Sequence, residues 1–214
     1  DTVGGLADLK VKCLRAIGNP SERFREDALR LVRLVRFAGQ LGFEVEDGTA
    51  QAAKARAKLI GKVSPERVRD ELDHMLTGPA PAVCIRRLSQ YGLLELIFPE
   101  VEALREVLQP SVLNPEGTEK NIFLQTLKVL EFLRRLEAKI PLALGWAAAL
   151  AGIGKVAAAR RSSGKNFNGF EKDGAALAQK MCQRFKRSTR ETDAIVAMIE
   201  GQLKFKDVFQ MRES

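Results

Sequence analysis

The stretch SERFREDALRLVRLVRFAGQLG, residues 21–42, decides the fold class. Its apolar residues Phe24, Ala28, Leu31, Val32, Val35 and Ala38 recur every three or four positions. That spacing puts them on one side of an α-helix and leaves the arginines on another. Pro20 and Ser21 form a start signal and Gly42 a stop. A single helix over 21–42 is therefore predicted. The neighbouring text has the same grammar. DGTAQAAKARAKLIG (47–61) has Thr49 as a candidate cap. SPERVRDELDHMLTG (64–78) has Ser64 as N-cap and Pro65 at the first helical position, and it stops at Gly78-Pro79. Segments 81–92, 121–138, 141–152, 170–185 and 189–203 repeat the pattern. Only KVKCLRAIG (10–18) offers an extended run, as a last strand of a preceding unit. The reading is all-α: two multi-helix units after a short N-terminal remnant.

The chain has 214 residues, enough for one large or two modest domains. Prolines, a glycine and polar residues gather between 99 and 120, which is linker chemistry. The expected division is a short remnant at 1–20, a helical unit at 21–100, a linker at 101–120 and a second helical unit at 121–214. Because the chain begins with Asp1, it is expected to be a portion of something longer. No apolar run approaches the roughly 20 residues a membrane helix needs, so no membrane partner is expected. Cys13, Cys84 and Cys182 are odd in number and far apart, pointing to a reducing, cytoplasmic setting. Thirty-five Lys and Arg against twenty-seven Asp and Glu give a net charge of +8. Such a surface attracts polyanions, chiefly nucleic acid. A solvated basic face that binds nothing is the alternative.

Three ordered elements carry a family resemblance. DTVGGLADL supplies Asp1, Gly4, Gly5, Asp8 and Leu9 as a D-x-x-G-G-x-x-D-L element. Glu26, Asp27 and Arg30 form E-D-x-x-R. Arg67, Glu71 and Leu72 match R-x-x-x-E-L-x-K, with His74 in place of the lysine. Together they resemble the tRNA nucleotidyltransferase and bacterial poly(A) polymerase family, in the part that follows its catalytic head.

The chemistry of Asp27 and Arg30 is arguable from the residues. Three apart on a helix, they would share a face. The carboxylate accepts from an exocyclic amine and the guanidinium donates to ring acceptors, so the pair can imitate a Watson–Crick edge. The resemblance implies that this edge chooses an incoming CTP or ATP. Arg33, as a nucleotide ligand, and Arg36, as an RNA ligand, extend the basic run toward triphosphate or RNA backbone. A solvated ion pair worth a few tenths of a kcal/mol is the alternative. Arg67 and Glu71 read as a structural pin between helices, and His74 as a partly exposed polar residue.

By resemblance, catalysis requires a Gly-Ser phosphate-binding turn and an Asp-x-Asp pair holding two divalent metals. Neither string occurs in this sequence. No catalytic residue and no bound cofactor are assigned to the chain. Mg²⁺ and CTP or ATP are implied for the complete enzyme, along with a catalytic head in cis or in trans.

Residues 121–214 resemble the HD phosphohydrolase domain appended to some family members, with its ligands replaced. Ala151 and Gly152 precede Ile153-Gly154-Lys155 where His-Asp is expected; Gln125, Phe170 and Gln202 stand at other histidine positions. These side chains cannot hold a metal and activate water as imidazole and carboxylate do. The unit reads as a scaffold without phosphohydrolase activity. Lys155, Arg160, Arg161 and Lys165, then Arg184, Lys186 and Arg187, are candidate RNA-phosphate contacts or a solvated basic face.

Two functions follow. One is the nucleotide-selecting, RNA-binding portion of a template-independent tRNA nucleotidyltransferase or poly(A) polymerase, with the tRNA acceptor end and a nucleoside triphosphate as partners. The other is a stand-alone RNA-binding scaffold derived from that family.

Overall fold

A computed structural model describes residues 1, 4–109, 120–164 and 166–203. The chain is helical almost throughout. Helix α1 (Gly5–Lys10) leads to a two-residue strand β1 (Cys13–Leu14), α2 (Pro20–Glu26) and α3 (Leu29–Leu41). Strand β2 (Glu44–Val45), α4 (Asp47–Arg56), a 3-10 segment (Ala57–Lys62), α5 (Pro65–Leu76) and α6 (Pro81–Gln90) follow. Short helices α7 (Leu94–Ile97) and α8 (Pro99–Glu102) and a 3-10 turn (Ala103–Glu106) lead to β3 (Leu108–Gln109), which pairs antiparallel with β4 (Lys120–Asn121). The remainder is α9 (Ile122–Leu136), α10 (Leu142–Leu150), α11 (Gly154–Ser162), α12 (Phe170–Arg184), α13 (Thr189–Glu200) and a closing 3-10 turn (Gly201–Leu203). The extended run near the start is only β1, paired in parallel with β2.

The single helix read over 21–42 is two helices. Asp27 is extended, at φ −145° and ψ 105°. Its Oδ1 accepts from Leu29 N at 3.1 Å, a local bond that competes with helix continuation. Asn19 caps α2 through Ser21 N and Glu22 N. Gly42, at φ 64°, ends α3 in the left-handed region. The capping expectations at 49 and 64 also shift. Glu46 caps α4 and Thr49 is its donor, while Ser64 occupies the N-cap of α5 without a side-chain bond.

Leu31, Val32 and Val35 of α3 meet Leu72, Met75 and Leu76 of α5 and Ile85 and Leu88 of α6 in one buried cluster. Gly39 admits α6 closely: a Cβ there would lie 2.4 Å from Cys84 Sγ. The cluster continues without a break into Trp146, Leu150, Cys182 and Ile199. Val101 and Leu104, in the stretch expected as linker, are fully buried, so 101–107 belongs to the core, while 110–119 lies outside the described residues. The sequence boundary failed there because prolines and charges at 99–106 punctuate short packed helices rather than a tether.

Within Leu142–Ser162 an 18-residue window has a mean hydropathy of 1.6, apolar enough by length and composition to cross a membrane. Yet the segment is two helices, α10 and α11, parted by a turn at 151–153. Trp146 and Leu150 are fully buried against protein, and a Cβ on Gly145 would stand 2.9 Å from Leu76 O of α5. Interior helices of a globular core carry such composition.

Candidate nucleotide and RNA site

Beside the α2–α3 break lies a cleft of about 310 Å³. Phe24, Leu34 and Phe37 contribute apolar surface, and Arg15, Arg23, Arg30 and Arg33 the charge. The volume is at the small end of ligand sites. Each arginine is steadied by a carboxylate. Arg15 pairs with Asp8 at 3.1 Å, Arg23 and Arg30 both with Glu26 at 2.8 and 2.7 Å, and Arg33 with Glu71 at 2.9 Å. Glu71 also takes Arg36, so five guanidiniums face three carboxylates and the region remains positive. The hydrogen bond from Arg30 holds the Glu26 carboxyl below its usual range. Guanidiniums in fixed orientation, next to exposed aromatic surface at Phe37, suit a phosphate-bearing ring compound.

Asp27 and Arg30 do not share a helix face, because the helix breaks at Asp27. Asp27 Oδ2 accepts from Arg67 Nη2 at 3.2 Å, outside the cleft lining, while Arg30 lines the cleft and donates to Arg23 O at 3.0 Å. The two oxygens of Asp27 each hold one donor, which leaves lone pairs free in a fixed direction. Arg67 and Glu71 both reach from α5 to the α2–α3 segment. Glu71 is buried between Arg33 and Arg36. Arg36 is removed from the RNA candidates: its side chain is only 14% exposed, committed to Glu71 and Gln40 and lying 4.2 Å over the Phe37 ring. His74 is exposed.

In the C-terminal half most of the basic candidates are exposed, several of them in ion pairs, and Arg187 alone is buried. Arg161 pairs with Asp173 at 2.6 Å, and Lys155 lies 5.0 Å from the Phe170 ring. Arg160 is exposed, and Lys165 falls outside the described residues. Arg184 pairs with Glu100 and Lys186 with Glu66. Arg187 is buried on Asp73 and stacks 4.2 Å over Trp146. Arg184 and Lys186 tie α12 and the turn after it to α8 and α5 through exposed pairs, and of the three only Arg187 is buried.

Two of the positions expected to replace metal ligands, Ala151 and Gln202, lie together. Gln202 Nε2 donates to Ala151 O at 3.2 Å and to Ile199 O at 2.9 Å. A Cβ on Gly152 would sit 2.9 Å from Ile122 Cγ2. Hydrogen bonds and close packing occupy the space. Among the described residues no three His, Cys, Asp or Glu side chains form a group suited to a metal.

Sequence reading missed Arg15 and Arg23 as cleft residues. Arg15 follows β1 and Arg23 is on α2; only the β1–β2 pairing and the packing of α2 on α4 bring them beside Arg30. Thr49 is part of that tie. Its Oγ1 accepts from Ala16 N at 3.1 Å, while Glu46 accepts from Thr49 N and Oγ1 at 2.7 and 2.8 Å. The Thr49 bonds hold the Glu46 carboxyl below its ordinary 4.5. A depressed folded pKa gives stability that is present above about 4.5 and lost as the pH falls through the lower folded value. Tm should therefore hold from pH 7 to 5 and fall below 4.5. Glu46→Gln should lower Tm at pH 7 and flatten part of the acid decline; an unchanged decline in thermal melts would remove Glu46 from this role.

Comparison with known proteins places this arrangement. A family model described as "Probable RNA and SrmB- binding site of polymerase A" matches residues 42–104. The CCA-adding enzyme of Levilactobacillus brevis is 46% identical over 97 residues, covering 45% of this chain and 22% of that protein. A solved tRNA-processing enzyme in an apo form superposes with a TM-score of 0.62 at 20% identity, over 100% of this chain and 52% of the other. A CCA-adding enzyme solved with CTP superposes with a TM-score of 0.54 at 16% identity, over 99% and 43%. The structural matches establish a shared helical fold. This chain spans about a fifth of the curated relative and about half of the solved ones.

Proposed function

We infer, from the likeness of residues 42–104 to a polymerase A RNA-binding family model and of the chain to CCA-adding enzymes, a part in tRNA 3′-end processing: selecting the incoming nucleotide and holding the RNA end for a catalytic head. The observation that carries this reading is the arginine-rimmed cleft at the α2–α3 break, lined by Arg30 of the E-D-x-x-R element, with Asp27 outside the lining. Arg30 and Arg33 offer donors within the cleft. Asp27, held by Leu29 N and Arg67, offers acceptors beside it. A base presented there would meet a fixed acceptor and fixed donors, a set able to discriminate among bases without a template. Arg67 and Glu71 act as positioning residues. CCA addition is favoured over poly(A) addition by the 46% identity to a CCA-adding enzyme. The setting is cytoplasmic. Mg²⁺ and the reacting 3′-hydroxyl are handled by the head, since this sequence has neither a Gly-Ser nor an Asp-x-Asp string.

The test is nucleotide preference in a protein carrying this chain joined to a head. Asp27→Ala and Arg30→Ala should each lower kcat/KM for the correct nucleotide roughly ten- to a hundredfold, the value of a hydrogen bond to a charged group. Affinity for tRNA should change little. Loss of tRNA affinity with preference intact would favour the scaffold reading.

A further inference from the structure

Helix α9 buries one side in the core through Ile122, Phe123, Thr126, Leu127 and Leu130. Much of its other side is also apolar. Val129, Phe132 and Leu136 are 44%, 58% and 63% exposed. At 3.6 residues per turn the three fall within about 60° of one another. Their spacing, three residues and then four, is that of a seam that meets a second helix. A solvated helix face carries polar residues at such positions. Lys128 and Arg135, two turns apart, border the stripe on one side, and both are exposed. Among the described residues neither has an ion-pair partner. Glu131, the acidic residue of α9, is paired with Arg86 of α6 at 3.5 Å. The face is therefore an apolar strip with a positive border.

We propose that this face of α9 docks an amphipathic helix of another protein, one whose apolar stripe is bordered by carboxylates. The surface lies outside the arginine cleft and outside residues 42–104, so it stands apart from the nucleotide-selecting reading. Charge decides among the occupants. A second copy would meet α9 across a two-fold axis, with the same patch on both sides. Antiparallel pairing centred on Phe132 then sets Lys128 against Arg135 twice, and like charges beside an apolar seam disfavour it. Parallel pairing leaves both cations unmet. A helix with Glu or Asp along that border turns both repulsions into ion pairs. The stripe spans about 10 Å, seven residues at roughly 1.5 Å each, which matches two turns of such a partner.

The experiment measures binding of two synthetic helical peptides to this chain by fluorescence anisotropy. Each has about three heptads with leucine at the a and d positions; one carries glutamate at e and g, the other lysine. The glutamate peptide should bind at least roughly tenfold more tightly than the lysine peptide. Phe132→Ser/Leu136→Ser should weaken its binding by at least roughly tenfold. Lys128→Glu/Arg135→Glu should reverse the preference between the peptides. All four side chains are exposed, so thermal melts should coincide with wild type. Equal affinity for both peptides, or a preference that survives the charge reversal, overturns the proposal. So does failure of both peptides to bind, the result expected if residues 204–214 of this chain cover the face. Self-association in sedimentation runs that Phe132→Ser/Leu136→Ser abolishes, without discrimination between peptides, assigns the face to a second copy and overturns the proposal. Binding to phosphatidylserine vesicles that needs Phe132 and Leu136, again without discrimination, assigns it to a membrane surface and overturns it too.

Discussion

Asp73→Ala is expected to cost about 3–5 kcal/mol of folding stability, because it strands a buried cation. Arg187 is 1% exposed and its guanidinium is held by Asp73, with Glu191 at 3.6 Å as a weaker partner. Trp146 Nε1 donates to the same Asp73 oxygen at 2.6 Å, and the Arg187 guanidinium lies 4.2 Å over the indole. Phe98 and Phe185 close the group edge-on to Trp146, at 5.4 and 5.7 Å between centroids. Burial pushes the Asp73 carboxyl above its ordinary value despite the attraction of Arg187 and Trp146. The charged pair is thus costly to bury and costlier to break. Asp73→Asn keeps the acceptor geometry and should lose less. Replacing both partners, as Asp73→Leu/Arg187→Met, should recover part of the single-variant loss, since no charge is then left alone. Urea denaturation with an unchanged m value measures all three. Equal, small losses across the set would show that the pair is dispensable.

Gly154→Ala is the second large effect. A Cβ there would fall 1.9 Å from Phe170 O and 2.5 Å from Gly174 N, both backbone atoms that cannot swing aside. Helices α11 and α12 must separate to admit one methyl group. The expected loss is about 3 kcal/mol or more, at or beyond the usual upper end for overpacking. Gly61→Ala is the control. Nothing lies within 4 Å of its Cβ position, so it should be neutral or stabilise by up to about 1 kcal/mol. Matching melts for the two variants would contradict the close approach of α11 and α12.

That glycine explains part of what was legible in the sequence. Ile153-Gly154-Lys155 reads as the ending of a metal-binding helix whose ligands are gone. In the fold, Ile153 is 1% exposed and Gly154 is the contact point of two helices, so packing alone accounts for retaining both. Apolar periodicity located α3 and α5 because their buried stripes are uninterrupted. It missed the break at Asp27 because one side-chain bond to Leu29 N decides it, and no count of apolar spacing detects that. The ion-pair partners of Arg184, Lys186 and Arg187, Glu100, Glu66 and Asp73, were not legible because they lie more than 80 residues away. Arg36 was misread for the same reason, with Glu71 in a different helix.

Nucleotide choice by Arg30 in the cleft, with Asp27 held beside it by Arg67, is the proposal most directly open to test. The most direct measurement is the relative kcat/KM for CTP, ATP, GTP and UTP with Arg30→Ala, at fixed tRNA concentration, in the protein that carries this chain with a catalytic head. The account expects CTP and ATP to lose roughly ten- to a hundredfold while GTP and UTP change little, so that the preference collapses. Wild-type ratios among the four nucleotides, whatever the absolute rate, would contradict it and return Arg30 to a surface ion pair with Glu26.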